Sequence, residues 1–89
     1  MLALPAVLTL REATACGMRL REAVAGAQGD QVVVDASALS QFDSAALAVL
    51  LDFRRHCASQ GKTIAVAGMA PRLVALAALY GVEGLLPAP

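Results

Sequence analysis

Ser44 is the residue best placed to do chemistry. It follows Phe42-Asp43 and opens a run of small and apolar residues, Ala45-Ala46-Leu47, after the strand-like stretch Val32-Val33-Val34-Asp35. Asp43 and Ser44 are both good helix N-caps, because a side-chain oxygen there accepts from an otherwise unpaired backbone N–H. A hydroxyl at a helix start also has a second potential use. A phosphate placed on it would sit at the positive end of the helix dipole. The pair therefore reads either as a plain cap or as a site.

Catalytic alternatives fail on spacing. A nucleophilic serine needs a base within hydrogen-bond reach. The one histidine, His56, lies twelve positions after Ser44 on the same expected helix, roughly 18 Å away at 1.5 Å per residue. It reads as a surface or rim residue. Gly61-Lys62-Thr63 resembles the end of a P-loop, but His56 stands where the first glycine belongs, and the order is helix to strand rather than strand to helix. It reads as a helix stop with Lys62 solvated near the negative helix end. Asp35, Asp43 and Asp52 are dispersed, and Cys16 and Cys57 have no metal-ligand spacing and read as reduced, buried thiols. No catalytic residue, cofactor or metal is expected.

The elements that position Ser44 follow from periodicity and punctuation. Met1 to Pro5 reads as a short edge strand ending at the proline. Thr9-Leu10-Arg11-Glu12 matches a capping box, with Thr9 as N-cap. The helix it opens carries Leu10, Ala13, Gly17, Leu20 and Val24 on one stripe and breaks at Gly26 to Asp30. Gln31–Asp35 reads as a strand covered on both faces, since three β-branched valines follow one another. A polar turn through Ser37 and Ser40 leads to a helix from about Ser44 to Gln60, stopped by Gly61. Thr63–Ala67 is a further strand. Pro71 begins a third helix ending near Tyr80 before Gly81, and Leu85-Leu86 reads as a last short strand. Strands alternating with helices predict one α/β domain over residues 1–89 with parallel pairing.

On the helix after Ser44, residues Ala46, Leu47, Leu50, Phe53 and Cys57 share one side and should face the sheet. Asp52, Arg55, His56 and Ser59 fall on the wet side, as do Ala45, Ala48 and Val49. Those three form a small apolar patch beside Ser44, suited to docking; alanine's helix propensity accounts equally for two of them. Arg54 projects toward the core side and should snorkel along the edge or pair with an acid.

This arrangement resembles the STAS domains, the fold of bacterial anti-sigma-factor antagonists. The likeness rests on strand, Asp35, turn and Phe42-Asp43-Ser44-Ala45-Ala46-Leu47, and continues through Gln60-Gly61-Lys62, strand Thr63–Ala67 and Leu79-Tyr80-Gly81-Val82. Within the family, Asp43-Ser44 before Leu47–Leu51 and the Leu79-Tyr80-Gly81 ending are most similar to the MlaB-type subunit of the Mla phospholipid transporter. The resemblance implies helices packed on a small mixed sheet and a non-enzymatic subunit that binds the ATPase of an Mla-type ABC transporter. Its implied contact is Asp43, Ser44, Ala45, Ala48 and Val49. The alternative it implies is an anti-sigma-factor antagonist, with Ser44 phosphorylated by a serine kinase/anti-sigma factor partner. Ala46 departs from the glycine common there and would give a partner backbone less room.

Bulk properties set the remaining bounds. The chain has 89 residues, 58% hydrophobic but 3% aromatic, so its core must be Ala, Val and Leu. A mean hydropathy of +0.67 reflects either apolar surface kept for a partner or the many alanines. Seven basic and seven acidic residues cancel. Without a basic run or aromatic platform, nucleic acid is not an expected partner. No segment reaches the roughly 18 apolar residues of a membrane span, and the N-terminus lacks signal-peptide features. A cytoplasmic location is expected, peripheral to the inner membrane through the transporter.

Overall fold

The computed structural model describes residues 2–89; Met1, the first residue of the expected edge strand, lies outside them. Strand β3 (Gln31–Asp35) is the centre of a three-stranded sheet. Edge strand β1 (Leu2–Ala3) pairs with it on one side and β5 (Thr63–Ala67) on the other. A second, two-stranded ladder joins β2 (Val7–Leu8) to β4 (Gln41–Phe42). The ladders between described residues are all parallel, where the resemblance implied a mixed sheet. In β3, Val32 and Val34 are buried but Val33 only half-buried, so the second face of this sheet is covered less fully than the valine run predicted.

Three helices complete the α/β fold: α1 (Ala13–Ala25), α2 (Ser44–Ser59) and α3 (Pro71–Leu79). Helix α1 packs on α2, and α2 packs on β5 and on α3. The stripe Ala46, Leu47, Leu50, Phe53 and Cys57 of α2 is buried as its spacing requires. With Leu4, Leu8, Leu20, Val24, Val34 and Leu73 it forms one apolar cluster. Positive φ at Gly61 and Gly81 ends α2 and α3.

Five local expectations are corrected. Glu12 does reach back to Thr9, accepting from its N–H at 2.9 Å and its hydroxyl at 2.6 Å. The Thr9 hydroxyl therefore donates to Glu12 rather than capping, and α1 begins only at Ala13. Leu10, outside the helix, is 77% exposed instead of sharing the buried stripe. Leu85-Leu86 forms no strand. Residues Glu83–Leu85 make a 3₁₀ turn, and the tail contributes one sheet-like bond, Val66 N–H to the Pro87 carbonyl at 2.8 Å. Arg54 is exposed, and Lys62 is not simply solvated: its Nζ donates to the carbonyls of Ala27 (3.2 Å) and Gly29 (2.7 Å), tying down the chain beyond α1.

Candidate functional site

Ser44 is held in place by its neighbour. Asp43 is the N-cap of α2, in extended backbone conformation, and its Oδ1 accepts from the Ala45 N–H at 2.8 Å. Its Oδ2 accepts from the Leu10 N–H at 3.2 Å, which joins the helix start to the segment after β2. The backbone N–H groups of Ser40 and Gln41 both donate to the Ala6 carbonyl, and β4 lies against β2 immediately before the cap. With the cap role taken by Asp43, Ser44 becomes the first helical residue. It is exposed, and among the described residues its hydroxyl has no hydrogen-bond partner.

Two apolar hollows flank Ser44. Leu47, Ala48, Leu51, Tyr80 and Val82 line one with it. Phe42, Asp43, Arg72, Ala75, Leu76 and Leu79 line the other. The Arg72 guanidinium sits 4.8 Å from the centroid of the Phe42 ring, a cation–π distance that holds it at the rim.

The expected site residues are only partly brought together. Asp43, Ser44 and Ala48 are exposed and Ala45 is half-buried. Val49, expected on the wet side, is 7% exposed and belongs to the core cluster. Helix α1 causes this: it packs on α2, and Val49 lies at their seam, where Ala13, Thr14, Gly17 and Met18 share a hollow with Ala48 and Asp52. Arg21 bridges to Asp52 at 2.6 Å along the same seam. Ala46 is fully buried, so the glycine-to-alanine departure meets the core rather than a partner. Arg72, Leu79 and Tyr80 were missing from the expected set. For Leu79 and Tyr80 the signal lies in Leu79-Tyr80 beside Gly81, which the sequence offers as a helix ending and as part of the family resemblance; Arg72 leaves no such signal.

The remaining chemical candidates stay apart. His56 shares α2 with Ser44 twelve residues on, its Nε2 3.4 Å from the Gln60 amide nitrogen. Cys16 and Cys57 are free and buried, and burial pushes both thiols up, away from the reactive thiolate. Asp35 accepts from the Ser37 N–H at 2.9 Å, which holds its carboxyl below its usual range. Among the described residues no group of three or more His, Cys, Asp or Glu gathers as a metal site, and no helix is long and apolar enough to cross a membrane.

Over residues 1–87 the sequence matches the family described as "Mlab, STAS domain". The chain belongs to this STAS family. Its fold is similar to the solved structure of an anti-sigma-factor antagonist (STAS) domain protein from Planctomyces limnophilus. The TM-score is 0.80 at 20% identity, over 97% of this chain and 77% of that one. At that identity the likeness concerns the fold alone. No curated protein matches the sequence. A STAS domain of the Mlab family thus presents, at the start of α2, one serine hydroxyl with no internal partner.

Proposed function

We propose that this STAS domain is a non-enzymatic cytoplasmic subunit that binds and supports the ATPase of an Mla-type ABC transporter. In that role it serves phospholipid transport that maintains outer-membrane lipid asymmetry. It reaches the inner membrane through the complex, not through a span of its own. The observation that carries the reading is the exposed, unpartnered Ser44 hydroxyl between two apolar hollows. Such a group gains a hydrogen bond only when a partner supplies one, and the apolar rim excludes water around it. Asp43 orients the helix start, Ala45 and Ala48 allow close approach, and Val49 supports them from below without touching the partner.

Co-purification with the Mla-type ATPase of the same organism tests this. Wild type is expected in stable 1:1 complex. Ser44→Asp puts an unpaired charge at the centre of the contact and is expected to weaken binding by about 2 kcal/mol or more. Undiminished binding by the variant would remove Ser44 from the interface.

The second reading is an anti-sigma-factor antagonist regulated by phosphorylation at Ser44. The same exposure favours it, since a kinase can reach this hydroxyl and the helix start stabilises the added charge. Incubation with a cognate serine kinase and ATP then adds one phosphate that Ser44→Ala lacks.

A further inference from the structure

Helix α3 departs from the usual pattern of a surface helix, whose outward face is polar. Its outward residues are Arg72, Val74, Ala75, Ala78 and Leu79, and one charge serves the whole helix. Leu79 is 78% exposed and Tyr80, just beyond it, 59%. Both line the hollows that contain Ser44, so the apolar end of α3 and the start of α2 form one continuous surface.

The charge on this surface is one-sided. Arg72 holds its guanidinium over the Phe42 ring, and among the described residues the one ion pair is Arg21–Asp52, elsewhere. Asp43, the acid on the rim, already accepts from two backbone N–H groups. The ring contact holds the guanidinium at the rim, and among the described residues its N–H groups pair with no acid, which leaves them available to a carboxylate.

We infer that the docking surface continues from Ser44 over the end of α3, and that it takes a segment of the ATPase bearing an apolar side chain beside a carboxylate. The apolar group seats against Leu79 and Tyr80, and the carboxylate meets Arg72. This rests on the reading of Ser44 as the docking centre. A second copy of the chain fits poorly, because its matching rim would bring another Arg72 and no free acid; Glu83 lines a separate hollow with Val74 and Ala77. An anionic membrane fits poorly as well, since a surface helix that binds lipid carries several cations and this face has one.

The test measures affinity for the purified ATPase with wild type, Ser44→Asp, Leu79→Asp, Arg72→Glu, Arg72→Lys and, as a control on α1 outside both hollows, Arg19→Glu. Matching circular dichroism melts establish folding, which these exposed positions should not disturb. Leu79→Asp and Arg72→Glu are each expected to weaken binding at least about tenfold. Arg72→Lys should fall between them and wild type, and Arg19→Glu should bind as wild type does. If Ser44→Asp loses binding while Leu79→Asp and Arg72→Glu retain it, the inference fails and the Ser44 reading stands. No capture by wild type overturns both. Sedimentation at twice the chain mass that Leu79→Asp abolishes would assign the face to a second copy. Flotation with phosphatidylglycerol vesicles that Arg72→Glu abolishes would assign it to a membrane. Either result overturns the inference.

Discussion

Asp43 binds in two directions at once, to the first turn of α2 and to the chain after β2. Losing an N-cap costs about 1 kcal/mol in most proteins. Asp43→Ala also frees the Leu10 N–H, so urea melts are expected to place its loss at the upper end of the cap range, about 2 kcal/mol. Asp43→Asn keeps an acceptor for Ala45 and should lose less. Cap chemistry is local, and for that reason Asp43 and the helix start at Ser44 were legible from the sequence. Val49 was not: a helical wheel gives angles within α2 but does not place α1 over one of them. Arg72 was missed for the same reason. Its pairing with Phe42 joins residues thirty positions apart, through a packing that no periodicity records.

Among the elements, the five-residue strands and the three helices were readable because apolar spacing and glycine stops agree over several residues. Strands β2 and β4 have two residues each and leave no pattern. Leu85-Leu86 failed differently. Leu86 is buried, as a strand residue would be, but Leu85 is exposed, and an apolar pair beside Gly84 and Pro87 fits a turn equally well. The turn after β5 offers a test at this scale. Gly68 has φ +70°, and a Cβ there would lie 2.9 Å from Ser37 Cβ, whereas Gly61, at φ +71°, has open space. Gly61→Ala therefore reports the backbone conformation alone, about 1 kcal/mol. Gly68→Ala adds the clash and is expected to lower the melting temperature further, with part of the difference recovered in a double variant carrying Ser37→Gly.

For the molecule as a whole, the high hydropathy has a partial structural answer. Four alanines are buried in the core, but Leu10, Met18, Val74, Leu79 and Tyr80 are exposed, so alanine content does not account for it all. Acid stability is also a whole-chain property. Hydrogen bonds from Thr9 hold Glu12 below its usual range, and the Ser37 N–H does the same for Asp35. The unfolded chain takes up protons at ordinary values and the folded chain at lower ones. Their contribution is thus complete above the ordinary carboxylate range and is lost as pH falls through the depressed values. The melting temperature should hold from neutral down to the ordinary carboxylate range and decline below it. Combining Glu12→Gln with Asp35→Asn should make that decline shallower. The parallel ladders have a consequence in time. Every strand pair joins residues more than thirty positions apart, such as Val32 with Ile64 and Leu2 with Val34, and no hairpin exists among them to form early. Contacts of such long range slow folding, because a large loop must close before any pairing repays it. During synthesis β3 must wait for residues 63–67 to leave the ribosome, so the central sheet assembles only when most of the chain has been made.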